Sequence, residues 1–349
     1  MAFTRKFLAS VPLIPISLLA LFQLLSSLHP WLEPMEVICK DPSLAAQNGI
    51  RRDYLGIDAT DSFLCWIVPF FQNTLILPVG FVSHIYTLTL ANAFMAIASV
   101  EGSRTTLSKT IISWVPLFGV LGQFGGISII VPLLWIPFYA YKSSNLAPLN
   151  NTVSAARVLS IPLSLFLGVV LIQYNIMFPT SLVAQQNTIA IFMIAPAFPT
   201  IISLVLAPIL APLIPSSLSR SRAAVRATHA AIALGNLVIH FYLIGYMVKH
   251  QVTLADFRSI LDVPSALVSS TRTFSSPVEE ASVICGQFLL VDLIALTAAM
   301  SYWIVLESGV VPALATLAAS FVLSPGVAVP LYAAWREGTL DNVQEKKDK

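Results

Sequence analysis

Charge is scarce in this 349-residue chain. Asp, Glu, Lys and Arg together make up 10% of it, against about 25% in soluble proteins. Neither sign dominates: 19 Lys and Arg stand against 17 Asp and Glu, a net +2. That leaves no basic surface for a nucleic-acid backbone, and no nucleic-acid partner is expected. Cysteine is almost absent. Cys39, Cys65 and Cys285 form neither a metal-ligand spacing nor a disulfide framework, and at most one pair can form. No phosphate-binding glycine loop, zinc-protease helix motif or nucleophile elbow occurs. Nor is there a pair of Asp-rich motifs of the kind that holds magnesium and a diphosphate inside a membrane. Chemistry that starts by ionising a diphosphate is disfavoured, and neither a metal nor an organic cofactor is expected.

What the chain has in abundance is apolar surface. Hydrophobic residues are 56% of the total and the mean hydropathy is +0.82. A 37.8 kDa globule cannot hide so many apolar side chains, so lipid must be the solvent for much of the surface. The expected fold class is all-α: a polytopic transmembrane helical bundle with 8–9 spans forming a single integral membrane domain. Its partners are membrane lipid and a lipophilic small molecule, and composition leaves the oligomeric state unknown.

A spanning helix needs about 20 mostly apolar residues. Candidates fall near 7–28, 63–80, 82–100, 112–140, 157–175, 188–214, 227–248, 284–306 and 310–334, with polar loops at 33–61 and 249–283. The first run is too long for a signal peptide and lacks a clean cleavage site, so it reads as an anchor. No charge interrupts Ser62 to Val100, where Pro78 and Gly80 mark the expected break. The 112–140 run invites a second break at Gly125-Gly126. Prolines inside the spans free backbone carbonyls, which predicts kinks and an internal cavity.

Arg5 and Lys6 assign the N-terminus to the cytosol, opposite the acidic 33–61 loop. Nine spans then put the C-terminus in the lumen. Yet the chain ends Lys346-Lys347-Asp348-Lys349, resembling the dilysine retrieval signal of endoplasmic reticulum proteins, which is read in the cytosol. One Pro-rich segment that failed to cross would restore the parity. Asn150-Asn151-Thr152 is a glycosylation sequon on the supposed cytosolic side, where it would go unused.

Ionisable groups at membrane depth are costly and therefore informative. Asp292 lies in Phe288-Leu289-Leu290-Val291-Asp292-Leu293-Ile294, several residues from either end of its span. A charged carboxyl there costs about 2.5–3.5 kcal/mol on insertion scales, so the neutral form is the cheaper one. A neutral buried carboxyl is what a general acid needs; a hydrogen bond to a neighbouring helix is the other reading. Glu101 and Arg104, three residues apart, share a helix face and can pair, either as an interfacial ion pair or as an acid held by a guanidinium. His229, Asn236 and His240 recur at intervals of seven and four along one stripe. Asn236 and His240 are candidate substrate contacts, with interhelical packing as the alternative. His84 and Asn92 share a face, and Gln123 lies inside the fourth span; each reads first as a satisfied core group, and Gln123 also as a substrate contact. Glu307 sits at a helix end and Asp58-Ala59-Thr60-Asp61 reads as a helix cap.

The run Val100-Glu101-Gly102-Ser103-Arg104, then Pro116, Gln123-Phe124-Gly125-Gly126 and Val131-Pro132-Leu133, resembles the membrane-bound fungal terpene cyclases of the ascofuranone and ascochlorin pathways of meroterpenoid biosynthesis. The resemblance covers residues 100–141, about an eighth of the chain. Residues 105–109 depart from the Asn-containing segment of that pattern. The resemblance implies protonation of an epoxide on a farnesylated phenol, cyclisation of the cation in an apolar pocket, and no magnesium, with Glu101 as acid and Arg104 holding it. Asp292 has no counterpart in the resemblance and rests on its place in the span. The expected function is a proton-initiated terpene cyclase of the endoplasmic reticulum, with Asp292 and Glu101 catalytic and Arg104, Gln123, Asn236 and His240 contacting a prenylated substrate. The alternative is a proton-coupled transporter of a lipophilic metabolite.

Overall fold

The computed structural model describes residues 2–143, 152–214, 217–263 and 273–345, and these form helices joined by short turns. The dilysine sequence at 346–349 and the first two residues of the sequon, Asn150 and Asn151, lie outside the described residues. After a short helix Ala2–Ser10 come α1 (Leu13–Lys40), α2 (Asp58–Thr74), α3 (Pro78–Gly102), α4 (Val115–Gly125), α5 (Ile127–Ser143), α6 (Ala155–Met177), α7 (Leu182–Phe192), α8 (Ala195–Leu213), α9 (Leu218–Lys249), α10 (Pro277–Ser308), α11 (Val310–Leu323) and α12 (Pro325–Glu345). Six stretches among the described residues are long and apolar enough to cross a membrane: Lys6–Lys40, α3, α6, α8, α9 and α10. That is fewer than the eight or nine spans expected, and the reason is local.

Hydropathy counts apolar residues without recording their direction, and three apolar runs turn back. The run near 63–80 ends at Thr74; the turn is Leu75–Leu77, and Pro78 opens α3 at a position where its missing N–H costs nothing. A disulfide joins Cys65 to Cys39 at the end of α1, and the Thr74 hydroxyl bonds the His84 ring at 2.6 Å. The middle of α2 is thereby tied to the end of α1, and its last residue to the first turns of α3. The 112–140 run is a helical hairpin. Gly102 packs against the backbone of Ile112 and Ser113, so α4 starts at the Glu101 end of the bundle. The chain turns at Gly126 (φ +88°), where only glycine is unstrained. α5 then returns until the Tyr139 hydroxyl donates to Glu101 at 3.3 Å.

The 310–334 run is a second hairpin rather than one span. α11 leaves beside Glu307, breaks at Ser324 (φ +72°) before Pro325, and α12 returns to place Ser308 and the Tyr332 hydroxyl 2.7 Å apart. The 188–214 run is broken at Met193–Ile194 into α7 and α8. The first expected span also runs well past Leu28, because α1 carries the start of the polar loop as far as Lys40.

Candidate functional site

Gly126 ends α4 and Ile127 starts α5, so the first N–H groups of α5 have no helical partner. Ser128 turns this to account. Its backbone N–H donates to Asp292 Oδ1 at 3.1 Å, and its hydroxyl donates to the same oxygen. Asp292 lies midway along α10 and is buried. Among the described residues no hydrogen bond reaches Oδ2.

Asp292 lines a cavity bounded by Leu24 and Leu28 of α1, Trp66 and Phe70 of α2, Thr87 and Asn92 of α3, the 122–127 turn, Gln173 of α6 and Phe288 of α10. The cavity volume is about 190 Å³. Aromatic rings make much of its wall: Phe70 meets Phe288 edge-on at 5.2 Å, and Phe71 meets Phe192 at 5.6 Å. Leu25 and Phe124 also line it and are 53% and 55% exposed, so it opens onto the apolar outer face of the bundle between α1 and α4. Its polar groups are few. Asn92 donates to Gln173 Oε1 at 2.9 Å and accepts from Gln173 Nε2 at 3.4 Å, and Gln123 donates to the Phe192 carbonyl at 3.5 Å.

Of the residues singled out in the sequence, Asp292, Gln123 and Asn92 share this cavity; the rest lie elsewhere. Glu101 and Arg104 are held in a buried ion network at the opposite end of α3 from Pro78. Arg104 grips both Glu101 oxygens at 2.9 Å and reaches Glu337 at 2.8 Å. Arg336 meets Glu101 at 2.9 Å and Glu307 at 2.6 Å, and Lys6 meets Glu307 at 3.1 Å. Two guanidinium groups therefore occupy the carboxylate of Glu101, and Arg104 bonds two carboxylates.

Asn236 and His240 hold the tip of the second hairpin. The Asn236 amide donates to the carbonyls of Thr89 (3.2 Å) and Gly326 (2.6 Å). His240 bonds the Tyr86 hydroxyl at 2.9 Å and lies 3.1 Å from the Val322 carbonyl. His229 is buried on the same helix, outside the cavity. In the first turn of α2, where a helix cap was expected, Asp61 instead receives the N–H groups of Leu55 and Gly56 from the preceding loop, both at 2.8 Å. The Leu55 bond is the largest influence; against the opposing effect of burial, it and the backbone N–H groups of Gly56, Tyr54 and Ile57 hold the Asp61 carboxyl below its ordinary value.

Ser128, Gln173, Arg336 and Glu337 were not among the residues singled out. A serine or glutamine within an apolar run reads as packing, but the serine two residues beyond Gly126 stands in the first turn of a new helix, and that position was a usable signal.

An all-helical protein with membrane-length apolar helices and a buried acid in an aromatic cavity is the class that fold and site define. Within that class the chain belongs to the CtvD domain family, whose sequence model matches residues 35–310, more than half of the chain. CtvD is a family of the fungal meroterpenoid-pathway type, which makes this a protein of fungal secondary-metabolite biosynthesis. No curated protein and no solved structure matches the chain.

Proposed function

We propose that this chain is a membrane-bound terpene cyclase acting on the terminal epoxide of a farnesylated phenol, with Asp292 as the acid. The observation that carries the reading is the asymmetry of Asp292: Ser128 occupies Oδ1 with two donors, and no hydrogen bond among the described residues reaches Oδ2 in an apolar cavity. Protonated on Oδ2, the carboxyl hands its proton to the epoxide oxygen as a carbon–oxygen bond opens. A neighbouring alkene attacks the resulting carbon and closes a ring. The final cation is quenched by loss of a proton or by the substrate's own hydroxyl, whose proton is released, so the product has the mass of the substrate. As the proton leaves, negative charge develops on Asp292, and the two Ser128 donors already face it. Donors aimed where charge appears lower a barrier without reorganisation at the moment of reaction. Aromatic faces lining the wall attract the passing cation. The opening beside Leu25 and Phe124 admits a lipophile from the bilayer.

Glu101, the acid that the resemblance implied, is on this reading a structural member of the ion network. Membrane localisation in the endoplasmic reticulum is part of the proposal. The test is a microsome assay. The chain is expressed in a heterologous host, an epoxidised farnesyl phenol is supplied, and products are compared with empty-vector membranes by liquid chromatography and mass spectrometry. A new peak of unchanged mass, absent with Asp292→Asn, is expected. Unreacted epoxide with the protein present in the membranes would overturn the cyclase reading, and uptake of the epoxide into sealed vesicles would then favour transport.

A further inference from the structure

We infer that Asn92 and Gln173 form a recognition site for the neutral polar head of the ligand whose apolar tail fills the cavity. The inference rests on that cavity being the substrate site; it does not need the cyclisation step.

Each primary amide carries two N–H donors and an oxygen with two lone pairs. The reciprocal contact between Asn92 and Gln173 uses one donor and one lone pair on each side chain. No other hydrogen bond reaches either amide among the described residues, so each keeps one N–H and one lone pair. Both residues are more than nine-tenths buried, at 7% and 5% exposure, and both line the cavity. Spare donors and acceptors at such depth are costly unless something meets them. A bond between two helices would be complete with one donor and one acceptor; this pair presents two of each on an otherwise apolar wall.

The chemistry of the wall fixes the class of head. Among the described residues no Lys or Arg lines the cavity, so none of them neutralises a carboxylate, phosphate or diphosphate there. Paired amides suit a group that both donates and accepts, such as a phenolic hydroxyl or a hydroxyl beside a carbonyl. Position also matters. Gly80 approaches Gly286, and the Thr87 hydroxyl donates to the Leu289 carbonyl, so α3 and α10 run in the same direction. Asn92 therefore lies within about two helical turns of the level of Asp292. A long flexible ligand held at both places is folded back on itself, not extended. The amide pair is thus a specificity-determining element that sets which end of the ligand meets Asp292.

The experiment uses the purified full chain in detergent and two probes without an epoxide, a farnesylated phenol and its O-methyl ether, with affinity read from ligand-dependent thermal stabilisation. The phenol is expected to bind about tenfold more tightly than the ether, the scale of one satisfied hydrogen bond. In the double variant Asn92→Leu/Gln173→Leu, which removes both amides together and leaves no orphan, the two probes are expected to bind alike. Equal affinities in the unaltered protein would overturn the inference without any variant, which guards against a double variant that fails to accumulate. A preference that persists in a folded double variant would overturn it as well. Binding of neither probe would overturn the assignment of the cavity itself. Loss of cyclase turnover with the head-group preference intact would sink only the reading of the chemistry.

Discussion

Ser128 and Asp292 are joined twice on one oxygen: the backbone N–H of Ser128 at 3.1 Å and its hydroxyl both donate to Oδ1 of Asp292. The bond holds the tip of the α4–α5 hairpin to the middle of α10. If these donors stabilise charge that appears on Asp292 during reaction, Ser128→Ala removes one and leaves the other. Turnover is then expected to fall by about 100-fold or more, since removal of one preorganised donor costs about 100- to 1,000-fold. Asp292→Asn should abolish product. Both are read as product per unit of membrane protein on an epoxidised farnesyl phenol; full activity in Asp292→Asn would end the acid assignment.

Glu101→Gln is expected to act on the fold and not on the chemistry. It leaves Arg104 and Arg336 facing each other without the carboxylate between them, and breaking a buried pair this way costs about 3–5 kcal/mol. The protein should accumulate poorly and melt earlier, while the surviving folded fraction turns over normally. Normal accumulation with lost turnover would return Glu101 to the chemistry.

The Cys39–Cys65 bridge ties α1 to α2, and both helices supply cavity wall. Cys39→Ser/Cys65→Ser is expected to lower stability by about 2–4 kcal/mol, read as an earlier melt in detergent. It should also weaken ligand stabilisation, because Leu28, Trp66 and Phe70 lose their fixed spacing.

Asp61 gives a pH dependence with a defined sign. Its carboxyl is held below its ordinary value, first by the Leu55 N–H and then, after the opposing effect of burial, by that of Gly56. The stabilisation is complete above the ordinary carboxylate range and is lost as pH falls through the lowered value. Hydrogen exchange at Leu55 and Gly56, corrected for the intrinsic rate, should therefore be protected near neutrality and released in acid. Asp61→Asn should be released at both.

The two hairpins make a prediction about sidedness. α1 runs from the Lys6 end to the Cys39 end; α3, α6, the α7–α8 pair, α9 and α10 alternate; α4–α5 and α11–α12 leave and return by the Lys6 end. Tags at the N- and C-termini should thus report the same face of the membrane in protease-protection assays. Opposite faces would mean that one hairpin crosses.

These examples show how much could be read in advance. Asp292 was conspicuous because one carboxyl stood in an apolar run, and the Glu101–Arg104 pairing followed from a spacing of three on one helix. The break at Gly126 was written in the Gly125-Gly126 pair. Long-range partners left no such mark: Arg336 is 235 residues from Glu101, and Gln173 is 81 from Asn92. Ser324 needs an unusual φ that serine does not advertise, so 310–334 looked like one span. His240 and Asn236 did share a stripe, but what that stripe faces, the tip of a hairpin, depends on the packing of other helices.

The distance along the chain between Ser128 and Asp292 has a consequence for how the protein is made. They lie 164 residues apart, and Lys6 and Glu307 lie 301 apart. During synthesis the first hairpin is complete long before its partner carboxyl leaves the ribosome, and the ion network must wait longer still. Until then Ser128 presents its donors to nothing of its own chain. No truncated or half-inserted intermediate can possess the finished pocket, so assembly and competence arrive in one late event, and a chain stalled before α10 is inert by construction.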